Sequence, residues 1–376
     1  MTLRILVLAL SLLASLRCGN RGQQTHEILI GGYGSLTGTT ASFGQSTMKG
    51  IQLAVAQANQ SGGVIGKQIR LIMEDDQGKP EEAQTVVTKL VTKDRVVAVI
   101  GENSSSRSLA GAPVCQQNRI PMISPSSTNP KVTQVGDYIF RVCFIDPFQG
   151  LVMARFATNT LRVRAVAILR DVKNDYSIGL AEVFRENFEK LGGKIVGDQS
   201  YGEGDTDFSA QLTALRAVQP EAIFIPGYYT EAGLIARQAR KLGITAPLLG
   251  GDGWESSKLW EIGGMAMNDC YYSNHYSIND PDPTIQEFIR EFKQRFGEVP
   301  DATAALAYDT AQLLFDAIRR TGTTDPLKVR DALATARNFP GVTGAITMDQ
   351  NRNPIKPAVI LRLKDGKIEY VETIQP

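Results

Sequence analysis

Two short polar segments carry the residue types needed to hold a small carboxylate. One, Gly101-Glu102-Asn103-Ser104-Ser105-Ser106, follows the apolar run 96–100. The other, Ser124-Pro125-Ser126-Ser127-Thr128, follows Pro121-Met122-Ile123. Each opens at the carboxyl end of a strand-like run, where open α/β sheets place their ligands. The first also leads into a helical pattern over 109–117, whose free N–H groups favour an anion at its start. One serine-rich turn is ordinarily a cap or a loop; two in adjacent units point to a site. Further along, Tyr176, the pair Tyr228-Tyr229, and Asp252 between Gly251 and Gly253 follow three more apolar runs. Phe43 lies in the turn after the first strand-like run, Ile28-Leu29-Ile30. An acid between glycines is accessible and can face a cation, and an aromatic at a cleft mouth supplies a flat apolar lid with a polar tip. Asn103 and Arg107 bring polar groups close to the same place; Arg107 reads as solvent-facing sooner than as a ligand contact. Trp254 reads equally as a wall for an aromatic ligand or as packing.

The elements that must position these residues alternate regularly. Strand patterns at 28–30, 69–73, 96–100 and 121–123 alternate with helical spacings over 48–58, 80–91 and 109–117. Gly62-Gly63 stops the first helix and Pro80 opens the second. A second series carries strands at 165–169, 194–196, 222–225 and 248–249 and helices at 149–159, 178–191, 208–218 and 232–242. This is the grammar of α/β doubly wound parallel sheets, here in two lobes. Three helices (283–296, 302–321, 326–336) and strands at 344–348, 358–363 and 367–371 follow, the last two joined as a hairpin at Asp365-Gly366. They read as returns to the first lobe and then the second, with crossings near Ile145, His275 and Met348. Residues 28–145 plus 275–348 would form one lobe and 146–274 plus 349–376 the other. Such multiple crossings make a hinge beneath a cleft.

The bulk properties narrow the partners. A chain of 376 residues exceeds the usual single core. Lys+Arg of 40 against Asp+Glu of 39 gives no basic excess for nucleic acid or anionic lipid. Residues 1–18 carry Arg4, an apolar run from Ile5 to Leu16 and then Cys18. The run is too short for a stable membrane-spanning helix and reads as an export signal, with 19–27 as a tether. Cys18 after such a run resembles the bacterial lipoprotein signal and would be the anchor, although Arg17 replaces the small residue that pattern wants. Of the remaining cysteines, Cys115, Cys143 and Cys270, none is spaced for a metal or redox pair; their odd count permits at most one internal disulfide, and buried thiols are expected for Cys115 and Cys143.

Taken in order, these marks resemble the Leu/Ile/Val-binding family, the type I periplasmic solute-binding proteins of ABC importers. The resemblance rests on 31–44 after the first strand, Glu74-Asp75-Asp76, the Ser105, Ser126 and Thr128 turns, Pro226-Gly227-Tyr228 with Gly233 and Arg237-Gln238-Ala239, and Gly251-Asp252-Gly253. It runs from Ile28 to the C-terminus. It implies that Ser105 and Thr128 hold a ligand α-carboxylate and that the Ser126 carbonyl and Asp252 hold the α-ammonium. Tyr176 and Tyr228 would close over the ligand, with Phe43 as an apolar wall and Asn103 beside it. A buried zwitterion needs both charges answered, because an unpaired buried charge is very costly. The implied protein is an exported monomer that takes an amino acid, branched-chain or otherwise apolar, and delivers it to membrane permease subunits. No metal, cofactor or catalytic residue is expected.

Two other classes compete with this one. In 32–38 the third glycine of a dinucleotide fingerprint arrives one residue late, and no acid follows about 20 residues on. No GxSxG, P-loop or HExxH occurs, and only His26 and His275 are present, which leaves an enzyme few general bases. A ligand-sensing module of a signalling system, or a binder of an aromatic or polar carboxylate, would use the same fold.

Overall fold

The computed structural model describes residues 27–376, so the expected export signal and Cys18 lie outside the described residues. The first sheet is built from β1 (Glu27–Gly34), β2 (Gln68–Asp75), β3 (Val99–Ile100), β4 (Met122–Ser124) and β5 (Ile139–Arg141). All its pairings are parallel and the order is β2-β1-β3-β4-β5. The alternation along β1 explains its two faces. Ile28 and Ile30 point to one core with α1 (Ala41–Gln60), while Leu29 and Tyr33 point to another with α2 (Pro80–Thr92) and α3 (Ser105–Gln117). A short α4 (Lys131–Gln134) precedes β5.

From β5 the chain enters the second lobe through α5 (Asp146–Arg155), which ends in a π-helical turn over Phe156–Thr160. There follow β6 (Ala165–Asp171), α6 (Asp175–Lys190), β7 (Lys194–Tyr201), α7 (Ser209–Ala217), β8 (Ala222–Phe224), α8 (Tyr229–Lys241), β9 (Leu248–Gly250), α9 (Ser257–Gly263) and β10 (Cys270–Asn274). The chain then returns to the first lobe as α10 (Pro283–Phe296), α11 (Ala302–Thr321) and α12 (Pro326–Ala334). Leu306, Ala311, Phe315 and Leu333 join the core of Ile28 and Ile30, which fixes where that return goes. A small hairpin, β11 (Phe339–Gly341) and β12 (Gly344–Ile346), leads to the third crossing. Finally β13 (Ala358–Lys364) adds antiparallel to β10, and β14 (Lys367–Ile374) antiparallel to β13. The second sheet is therefore seven-stranded, β14-β13-β10-β9-β8-β6-β7, with five parallel strands and an antiparallel edge.

Doubly wound lobes with three crossings are thus the observed architecture. Three strands escaped the sequence reading, β5, β10 and the short β11. The sequence of β10, Cys-Tyr-Tyr-Ser-Asn, has no aliphatic run, although every one of its residues is at least half-buried. The helices α1, α3, α6 and α8 also begin three to seven residues before the apolar spacing announces them, which moves several site residues.

Candidate functional site

The helix starts converge between the lobes. Phe43 is not in a turn but in the first turn of α1, Ser105 is the first residue of α3 and Tyr176 the second of α6. Tyr228 is the residue before α8, and Asp252 opens a 3-10 turn, Asp252–Trp254. Asn174 fixes Tyr176 by accepting its backbone N–H on Oδ1 at 3.0 Å. Gly253 donates its N–H to the Tyr176 hydroxyl at 3.2 Å. A Cβ on Gly253 would stand 2.7 Å from the Gly227 carbonyl oxygen, and one on Gly251 2.4 Å from the Tyr176 hydroxyl. The two glycines around Asp252 are therefore required by close approach.

A cavity lies among these residues. Phe43, Asn103 and Ser126 line it from the first lobe, Tyr176, Tyr228, Asp252 and Gly253 from the second. Tyr176 and Tyr228 stack with centroids 5.4 Å apart and planes 4° apart, and Phe43 meets Tyr228 edge-on at 5.5 Å. Asn103 Nδ2 donates to Thr47 Oγ1 at 2.8 Å and its Oδ1 accepts from Ser126 Oγ at 2.9 Å. Six of the residues named from sequence thus face one space.

Ser105 and Thr128 do not line it. Both are buried; the Ser105 hydroxyl accepts from the Asn129 N–H at 3.2 Å. The Thr128 hydroxyl lies beside the Asp146 carboxyl but makes no bond of ordinary geometry. Asp252 is not the accessible acid expected: its side chain is 8% exposed, held by Gln149 Nε2 at 2.8 Å and His275 Nε2 at 3.0 Å. Trp254 is wholly buried, with Nε1 donating to the Ile225 carbonyl at 3.1 Å, so packing is its role. The three cysteines are free and buried, and burial pushes the Cys270 thiol up to about 11.

Arg107 faces neither solvent nor the cavity. At 2% exposure it donates to Ser35 Oγ (3.0 Å) and Thr40 Oγ1 (2.9 Å), and it bridges to Glu203 of the other lobe at 2.8 Å. Glu102 stands 3.8 Å away; burial, with Asp76 close by, pushes its carboxyl up to about 8. Other bonds also span the lobes. Tyr228 donates to Ser104 Oγ at 2.9 Å, Ser106 Oγ to Asp175 Oδ2 at 2.8 Å, and the Ser42 N–H to the Tyr229 hydroxyl at 3.1 Å. The lobes are closed on each other.

Several lining residues escaped the sequence reading: Glu255, Asn274, His275, Ala302, Thr303 and Leu306. Glu255 accepts from Tyr272 (2.8 Å) and from the Ala302 N–H (3.1 Å) at the start of α11. Burial raises its pKa. Proximity to Asp252 in sequence was the only signal for Glu255, and His275 was noted only as a crossing residue.

A cleft between two α/β lobes, closed over a cavity that holds an anchored carboxylate, is built to hold a solute. The periplasmic binding protein family model matches residues 27–367. The chain belongs to the periplasmic binding protein family. Leu/Ile/Val-binding protein homolog 2 of Brucella abortus is 32% identical over 93% of this chain and 95% of its own. Two solved structures superpose with a TM-score of 0.89. The leucine binding protein LivK of Thermotoga maritima is 39% identical over 93% of this chain and 99% of its own. The branched-chain amino acid transporter substrate binding protein LivJ of Streptococcus pneumoniae, in complex with isoleucine, is 34% identical over 93% and 100%. As a periplasmic binding protein the chain works outside the cytoplasm, and the family is one of solute binders rather than enzymes. No helix among the described residues is long and apolar enough to cross a membrane.

Proposed function

We propose that this periplasmic binding protein captures an amino acid, branched-chain or otherwise apolar, between its lobes and delivers it to the permease subunits of an ABC importer. The observation that carries the reading is the shared cavity: residues of both lobes face one space that only closure completes. The α-carboxylate would sit on the side of the two serine turns, against Ser126, with Ser105 and Thr128, which do not line the cavity, supporting those turns. Five helix starts (α1, α3, α6, α8, α11) surround that cleft and favour a negative charge. The α-ammonium would meet Asp252, and Tyr176, Tyr228 and Phe43 would cover the aliphatic part. Neither Lys nor Arg is among the lining residues, which disfavours acids that lack an amino group.

Docking on the first lobe precedes closure in this scheme. Only the closed form answers both ends of a zwitterion, so ligand shifts the population toward it. The closed shape is then what the permease recognises, and Cys18 would tether the protein at the membrane. The protein would act as a monomer.

A thermal-shift screen against amino acids, their amino-less acid analogues and simple sugars tests the reading. The expected response is to leucine, isoleucine or valine. Asp252→Ala should lose roughly a hundredfold or more in that affinity while the fold is kept. A response confined to acids without an amino group, or full affinity in Asp252→Ala, would sink it.

A further inference from the structure

The carboxylate of Asp252 is held from both sides. Gln149 Nε2 donates to Oδ1 at 2.8 Å and also to Ser273 Oγ at 3.0 Å. His275 Nε2 meets Oδ2 at 3.0 Å. The His275 ring cannot swing away: it is 2% exposed and stacks on Phe144 with centroids 3.8 Å apart. Its backbone N–H is tied to Asn274 Oδ1 at 2.8 Å. Its other nitrogen, Nδ1, has no partner among the described residues.

That asymmetry assigns the tautomer. With the proton on Nε2, the ring donates to Asp252 and leaves only a bare acceptor at Nδ1. With the proton on Nδ1, a buried N–H would be orphaned and two lone pairs would face each other across 3.0 Å. Buried orphan donors are the rarer and costlier case.

We infer that His275 is a positioning residue for ligand capture: its neutral imidazole, donating from Nε2, works with Gln149 to aim the remaining lone pairs of Asp252 at the ligand's ammonium. This rests on the reading of Asp252 given above. Holding the acceptor by one neutral donor on each oxygen fixes its direction without cancelling its charge. A second cation there would compete with the ammonium.

An imidazolium would be that cation, so affinity for an amino acid should fall in acid. Burial is the main cause that keeps His275 below the ordinary histidine value, with Lys356 adding to it and Asp252 opposing. Asp146 and Glu255 also face Asp252 from the first crossing and from its own turn, and both have pKa values raised by burial. The imidazole is therefore uncharged at neutral pH, and the loss belongs to the region below about 6.5. Proton and ligand ammonium then weaken each other reciprocally.

Calorimetry with L-leucine and L-isoleucine between pH 5 and 8 tests this on the parent and on His275→Gln, His275→Leu, Asp252→Asn and the double variant His275→Leu/Asp252→Asn. His275→Gln keeps an N–H donor and does not titrate. It should bind within about threefold of the parent at pH 7.5 and lose the parent's decline in acid. His275→Leu should bind roughly ten- to a hundredfold more weakly at every pH. In the Asp252→Asn background the same change should have almost no further effect, because the two act as one unit. Parent-like affinity in His275→Leu, or an acid decline that survives in His275→Gln, overturns the inference. Parent-like affinity in Asp252→Asn, or no binding of either amino acid by the parent, overturns instead the reading on which it rests. His275→Gln keeps the test decisive should His275→Leu fold poorly.

Discussion

Asp146 sits where the chain first crosses between lobes, with both carboxyl oxygens buried and without partners. The nearest cation, Arg141, spends its guanidinium on the Ser127 and Asn129 carbonyls, the latter at 2.8 Å. Burial pushes the Asp146 carboxyl up to about 8, with Thr128 and Arg141 opposing and Asp252 reinforcing the shift. A folded-state pKa above the ordinary carboxylate value of about 3.9 makes the protonated form the stabilised one. Its contribution is full below about pH 3.9 and is lost as pH rises through about 8. Asp146→Asn, which mimics the neutral acid, should therefore gain on the parent as pH rises from 4 to 8, by a few kcal/mol at the top of that window. Melting temperatures of both proteins across that range check it. A difference that stays flat with pH would mean Asp146 is ionised in the folded protein.

Helix starts explain both what was legible in the sequence and what was not. The interiors of α10 and α11 carry strong apolar spacing, and α10, α11 and the final hairpin fall where the pattern puts them. At that hairpin Asp365 and Gly366 both have positive φ (50° and 76°), as a tight two-residue turn between twisted strands requires. The first turns of α3, α6 and α8 carry Ser105-Ser106, Asp175-Tyr176 and Tyr229-Thr230 instead, because those turns face the cleft. Apolar periodicity is blind there, so residue types located the site while their placement on helices stayed hidden. His275, Glu255 and Asn274 left no trace in the pattern, since their partners lie on other elements. The pairing of α1 with α11 was equally silent, and it depends on Gly50. A Cβ there would stand 2.2 Å from the Ala304 carbonyl oxygen and 3.1 Å from Ala307 Cβ. In an open helix Gly→Ala gains about 1 kcal/mol; here overpacking should cost about 1–3 kcal/mol and reverse the sign. Because α1 carries Phe43 and α11 carries Thr303 and Leu306, the parting of the two helices should weaken ligand binding too. A higher melting temperature in Gly50→Ala would refute close packing of this pair.

Closure of the whole molecule is a balance between contacts the lobes make with each other and contacts only a ligand can supply. The closed lobes share the Arg107–Glu203 ion pair and several further hydrogen bonds. They also leave Asn274 Nδ2, on a residue of the cavity wall, buried without a partner. The first set favours the closed form without ligand, the unmet group opposes it, and a solute that binds only the closed form shifts the population toward it. Glu203 and Arg107 divide this balance from fold stability. Glu203 is 27% exposed and touches the first lobe through Arg107. Glu203→Gln should thus leave the melting temperature nearly unchanged, enlarge the radius of gyration of ligand-free protein in small-angle scattering, and weaken ligand binding several-fold. Arg107→Met removes in addition the one cation beside Glu102 and Asp76, two buried acids, and should destabilise the first lobe by about 3–5 kcal/mol. Equal melting temperatures for the two variants would show that Arg107 serves closure alone. An unchanged radius and affinity in Glu203→Gln would show that the other hydrogen bonds hold the lobes together without the ion pair.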